Sequence, residues 1–259
     1  MTLVPGVRQR AGIIAAGRGD RLRHGPHVLK PLVPIAGRAL IEHVLTSVQE
    51  TAPSEVVIIV NEASLAVRDH VSHQKWPFEI RWIVETTPSS MHSFLRVLEA
   101  LAPDGPDNRE GPFLMSTVDT IALPGAYAAF LSASRSVDAD VSLALARPGD
   151  DEKPLLVRLA PGSSRIDAMG EDVRRGVNLD ADALRPDVWA TAGYYAVQPA
   201  VLREADAARK EGTRALRTFF TNLVERGYRL NGIPVAGAID VDRPGDVQAA
   251  EAFLRQVGA

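Results

Sequence analysis

The chain has 259 residues, 46% hydrophobic and 24% charged, with 20 Gly, 18 Pro and no Cys. Ordinary globular composition excludes collagen-like, disordered and disulfide-scaffold classes, and the missing cysteines exclude zinc-thiolate sites, thiol nucleophiles and iron–sulfur clusters. A formal net charge of −3 speaks against a nucleic-acid surface.

In chain order, Ala11–Ala15 and Val56–Val60 are short, continuous apolar runs rich in β-branched residues, as strands buried on both faces should be. Between them Leu40, Ile41, Val44, Leu45 and Val48 are spaced for one helix face. A third strand is predicted at Glu79–Val84, then a helix carrying Met91, Phe94, Leu95, Leu98 and Leu101. Strands follow at Phe113–Val118, Val141–Ala146, Leu155–Leu159 and Thr191–Val197, with a helix at Pro124–Ala133. Residues 160–188 are the least periodic stretch and are expected to wrap over a site. A helix from about Thr213 to Arg226 and a terminal helix entered through Pro244 complete the chain. Strand–helix alternation of this kind predicts α/β architecture with a mostly parallel sheet in one domain. No stretch approaches the roughly 18 apolar residues of a membrane span, and MTLVPGVRQR has no apolar leader. A cytoplasmic protein without a membrane partner is therefore expected.

The most informative stretch follows the first strand: Ala15-Ala16-Gly17-Arg18-Gly19-Asp20-Arg21. Small residues let the backbone approach a ligand, and successive N–H groups in a Gly-rich turn make an anion nest. Arg21 and Lys30 add positive charge at the end of the sheet where open α/β folds bind ligands. That combination reads as a polyphosphate site. A dinucleotide fingerprint would need Gly or Ala where Leu22 stands, and a P-loop would need a closing Gly-Lys-Ser/Thr, which is absent.

A-A-G-x-G-x-R-L followed by K-P-L-x-P-I-x-G-R-x-L-I resembles the signature of the nucleotidyltransferase superfamily that includes sugar-1-phosphate nucleotidylyltransferases. The resemblance implies a Rossmann-like three-layer α/β sandwich with a mostly parallel mixed central sheet. It places nucleoside triphosphate (NTP) binding at about residues 8–135 and acceptor binding at about 136–259. Ala15, Ala16 and Gly17 would hold base and ribose; Gly19, Asp20 and Arg21 would hold the triphosphate; Lys30 would sit on the α-phosphate side. Arg21 and Lys30 are thus the expected catalytic cations. Leu29 and Ala39 depart from prolines common in the family, without removing a functional group.

Nucleotidyl transfer needs a divalent cation, because an anionic phosphate must approach another phosphorus. The implied cofactor is Mg²⁺, which takes one or two carboxylates plus substrate phosphates and water. Asp119 follows the fourth strand, where the family has its first metal-binding Asp. Asp240 is the expected second ligand, with Asp242 as the alternative; whichever is not the ligand would serve the start of the last helix, where Asp246 also stands. Two carboxylates without a cation repel, so one raised pKa is expected. Ser89 and Ser90 stand where family members select the base, although either could cap a helix. Gly193 and Tyr194, in a strand resembling N-A-G-x-Y, and Lys153 are acceptor-site candidates. His92 reads as a structurally satisfied histidine, and Trp76, Trp82 and Trp189 as packing. The expected partners are an NTP and a small phosphorylated acceptor, a sugar 1-phosphate first. A cyclitol, choline-type or molybdopterin acceptor, or a catalytically silent nucleotide-binding subunit, is the alternative.

Overall fold

The computed structural model describes residues 9–17, 22, 29–148, 154–175 and 186–256. The first half runs β1 (Arg10–Ala15), β2 (Pro34–Ile35), β3 (Arg38–Ala39), α1 (Leu40–Gln49), β4 (Glu55–Val60), α2 (Leu65–Ser72), β5 (Glu79–Val84), α3 (Ser90–Leu101), β6 (Phe113–Thr117), β7 (Thr120–Ala122) and α4 (Ala126–Ser134). The second runs β8 (Val141–Ala146), β9 (Leu156–Leu159), β10 (Ile166–Met169), α5 (Glu171–Arg174), β11 (Val188–Val197), α6 (Ala205–Lys210), α7 (Leu216–Glu225), β12 (Leu230–Pro234), β13 (Ala238–Asp240) and α8 (Pro244–Gln256). The aperiodic stretch after residue 160 thus contains β10 and α5, while 176–185 lie outside the described residues.

The central sheet has the order β10-β9-β11-β6-β1-β4-β5, with β8 beside β11 and β12 beside β8. Strands β5, β4, β1, β6, β8, β9 and β12 run one way, and β10 and β11 run against them. Alternate residues feed two cores. Ile14, Val57 and Ile59 pack with Phe94, Leu98, Phe219 and Phe220 of α3 and α7. Ile13, Val56, Ile58 and Val60 pack with Ile41, Val44 and Leu45 of α1, Val67 of α2 and Tyr127 of α4. Each such large side chain contributes about 1.5–3 kcal/mol on burial. Helices therefore cover both faces, giving the three-layer sandwich expected from the sequence.

Two features of this packing aim the site. At Gly12 an added Cβ would lie 2.3 Å from Val97 Cγ1 and 2.8 Å from Met115 Sδ, so the glycine lets α3 settle on β1. A third cluster joins Leu22, Val33, Ile35 and Leu40 to Ile121, Val241, Ala250 and Leu254. It clamps the segment carrying Lys30 against the segment carrying Asp242, across a sequence separation of 212 residues.

Candidate active site

Strand β1 lies between β4 and β6, so the chain leaves β1 towards one side of the sheet and returns to β6 on the other. Loops that part in this way open a crevice at the carboxyl ends of the strands. Here the crevice is a cleft of about 1300 Å³ whose lining includes Ala16, Gly17, Lys30, Asn61, Asp119 and Asp242. Val118 N donates to the Ile14 carbonyl oxygen at 3.1 Å, holding the chain after β6 beside the end of β1.

Lys30 sits in a short 3-10 turn, Lys30–Leu32. Its Nζ donates to Asp119 Oδ2 at 2.7 Å and to Asp242 Oδ1 at 2.5 Å. Only 11% of its side chain is exposed. Burial pushes the Lys30 ammonium down, but the two carboxylates outweigh this and hold its pKa above the ordinary value. For Asp119, burial pushes the carboxyl up; the Lys30 charge and the hydrogen bonds from Lys30 and Thr117 outweigh it and hold the pKa below the ordinary range. The raised carboxylate pKa expected from mutual repulsion is not found at Asp119, because the ammonium neutralises that repulsion.

The structure places Asp242, not Asp240, beside Lys30 and Asp119. Strand β13 ends at Asp240, paired with Thr120 of β7. Asp240 Oδ1 accepts from Thr120 Oγ1 at 2.8 Å. Beyond it, Val241 N donates to the Asp119 carbonyl oxygen at 2.9 Å, and the Val241 side chain is fully buried. The backbone then turns into α8, which brings Asp242 to the ammonium. Asp246 accepts from the N–H groups of Asp242 and Arg243 at 2.9 and 2.7 Å, so it serves the helix start. Among the described residues no group of three or more His, Asp or Glu is arranged to hold a metal. Two carboxylates converging on one cationic nitrogen do match a divalent cation that takes its remaining oxygens from substrate.

Of the other sequence-predicted residues, Ala16 and Gly17 line the cleft, while Ala15 is buried in the core facing α1. Gly19, Asp20, Arg21 and Lys153 lie outside the described residues. Ser89 and Ser90 line the cleft with their hydroxyls engaged: Ser89 Oγ lies 2.8 Å from His92 Nδ1, and Ser90 Oγ accepts from Leu216 N at 3.1 Å. Neither hydroxyl caps its own helix; Met91 N donates instead to the Arg214 carbonyl oxygen at 3.1 Å. Burial, then the charges of Arg209 and Arg214, push the His92 pKa down.

Gly193 and Tyr194 need correction as acceptor contacts. The room left by Gly193 is filled by Thr120, whose Oγ1 would lie 1.8 Å from an added Cβ. Tyr194 is fully buried, stacked on Tyr127 with ring centroids 4.2 Å apart and edge-on to Phe130 at 5.1 Å. Strand alternation turns its side chain into the core shared with α1 and α4, and it does not line the cleft. Sequence reasoning did not single out Asn61 or Arg214, which also line the cleft. An Asn after a strand reads as a turn residue, and an Arg before a helix as a solvated charge.

The family model for MobA-like NTP transferase domains matches residues 11–184. The chain belongs to this family. CMP-5'-(3-aminopropyl)phosphonate synthase of Streptomyces rubellomurinus is 28% identical over 259 residues, covering 93% of this chain and 38% of that protein. The bifunctional protein GlmU of Thermobifida fusca is 27% identical over 250 residues, covering 93% of this chain and 49% of that protein. The chain thus spans less than half the length of either curated relative. The inositol-1-phosphate CTP transferase from T. maritima superposes with a TM-score of 0.73 at 18% identity, covering 97% of this chain and 98% of that one, which shows a shared fold. Among the described residues no helix is long and apolar enough to cross a membrane.

Proposed function

We propose that this member of the MobA-like NTP transferase family moves a nucleoside monophosphate from an NTP to a small phosphorylated acceptor and releases pyrophosphate. The observation that carries this reading is the bidentate hold of Lys30 on Asp119 and Asp242 at the sheet's switch point. An acceptor phosphate oxygen attacks the α-phosphorus, a new P–O bond forms, and the bond to the bridging oxygen of the β-phosphate breaks with its electron pair on pyrophosphate. Lys30 would neutralise charge on the α-phosphoryl oxygens, and Ala16 and Gly17 would give the nucleotide a close backbone approach. Asp119 and Asp242 would hold Mg²⁺, which supplies charge neutralisation and orientation of the phosphates when bound. Positioning and electrostatics supply the catalysis, with no protein nucleophile.

A sugar 1-phosphate is the first acceptor to test. The names of two proteins that are similar over nearly all of this chain carry a cytidine nucleotide, one with a phosphonate and one with a cyclitol phosphate, so CTP is the first donor and those acceptor classes come next. The test is pyrophosphate release from four NTPs with Mg²⁺ against a panel of sugar, cyclitol and alcohol phosphates and phosphonates. Turnover with one pair supports the reading. Nucleotide-dependent thermal stabilisation without turnover on any acceptor favours a silent binding subunit instead.

A further inference from the structure

The chemistry above leaves one buried polar group of the cleft without a task. Asn61 follows β4 directly, lines the cleft, and is only 7% exposed. Its Nδ2 donates to the Ala16 carbonyl oxygen at 3.1 Å, which settles the orientation of the amide. The other end, Oδ1, is buried and has no hydrogen-bond partner among the described residues. Leaving a buried acceptor unmade costs more than a made bond gains, whereas an apolar side chain of the same shape would cost little.

The neighbouring polar groups are already committed. Thr86 Oγ1 donates to Glu62 Oε2 at 3.1 Å, Thr87 Oγ1 pairs with Ser93 Oγ at 2.6 Å, and Ser89 and Ser90 are engaged as described. Among the described residues no donor reaches Asn61 Oδ1, which leaves it open to a donor on what enters the cleft. Ionised phosphates carry none. Asn61 also lies at the end of β4, on the opposite side of β1 from β6 and Asp119, the side away from the carboxylates that the reading above assigns to the phosphates.

We propose that Asn61 is a specificity-determining residue whose Oδ1 accepts a hydrogen bond from the nucleoside part of the bound nucleotide, a base N–H or a ribose hydroxyl. The assignment rests on the nucleotidyl-transfer reading above. Sites built to receive a substrate donor reject analogues that lack it.

The test is calorimetric binding of CTP, UTP, GTP and ATP, and of the 2′-deoxy and 3′-deoxy forms of the tightest binder, to the full chain and to Asn61→Leu. In the wild type, deleting the matching donor should weaken binding by about tenfold or more. Loss with a deoxy form identifies a ribose hydroxyl; loss on exchanging an amino for a carbonyl base identifies the base. Asn61→Leu should bind the best nucleotide about tenfold more weakly, lose that discrimination, and remain folded, with a cooperative melt. Wild-type indifference to every donor deletion, or full discrimination retained in Asn61→Leu, overturns the assignment. If none of the four NTPs binds the wild type, the nucleotide reading falls first and Asn61's role with it.

Discussion

A β-carbon on Gly193 would stand 1.8 Å from Oγ1 of Thr120 and 3.0 Å from Oγ1 of Thr117. Thr120 is almost fully buried, and its hydroxyl is tied to Asp240, so it has nowhere to move. Gly193 also has φ +75°, which disfavours any β-carbon. Gly193→Ala should therefore cost about 2–3 kcal/mol in denaturant melts. Stability equal to the wild type would mean that β11 can relax at this irregular point in its register.

Lys30 is the counterion of two carboxylates that would otherwise face each other. Lys30→Met should lower turnover by more than tenfold, since each charge-assisted hydrogen bond contributes about 1.5–3 kcal/mol. The uncompensated pair should also bind a divalent cation more tightly in the absence of nucleotide, because the cation no longer competes with the ammonium. Calorimetry with Mn²⁺ reads this directly. Wild-type turnover in Lys30→Met would mean that the α-phosphate charge is met elsewhere.

Glu42 of α1, away from the cleft, carries acid-dependent stability. Its carboxylate lies 2.8 Å from His70 Nε2 of α2 and also accepts from Gln74. Burial pushes the carboxyl up, but these hydrogen bonds and the charges of His70 and Arg38 outweigh it, and the pKa falls below the ordinary value. A folded-state pKa below the unfolded one gives stability that is present above the unfolded pKa and is lost as pH falls through the folded one. Glu42→Gln should cost about 1 kcal/mol at pH 7 and distinctly less at pH 3, measured by urea melts at both. An equal cost at both pH values would show that charge is not the source.

The parts of this fold that were legible beforehand are those with one dominant physical signal. Strands β1 and β4 are continuous apolar runs, and α1 and α3 carry apolar stripes at helical spacing; each was found within a residue or two. Helix α2 was missed because only Val67 and Val71 are buried, too few for a stripe. Strand β13 was missed because three residues, two half-buried and one exposed, carry no alternation. Asp119 was legible as an acid after a buried strand. The Lys30 bridge was not, since it depends on α8 packing against residues near the other end of the chain. Tyr194 read as an acceptor contact because its strand resembles N-A-G-x-Y, and a motif does not show which way the strand turns each side chain.

The division of labour between Asp240 and Asp242 gives the sharpest test of the site. Asp242 shares an ammonium with Asp119, whereas Asp240 accepts from the buried Thr120 hydroxyl beside Gly193. If the metal-holding pair is Asp119 and Asp242, then Asp242→Asn should lower turnover by about a hundredfold or more, as expected when a ligand carboxylate to a phosphate-bridging cation is lost. Nucleotide binding measured in EDTA should change little, because the lost charge acts through the cation. Asp240→Asn keeps an oxygen for the Thr120 donor, so its turnover should stay within about threefold of the wild type. Raising Mg²⁺ should partly restore Asp242→Asn, whose site is weakened, and leave Asp240→Asn unaffected. The reverse pattern, with Asp240→Asn inactive and Mg²⁺-rescued, would mean that the carboxylates exchange places when the cation binds and that Asp242 belongs to Lys30 alone.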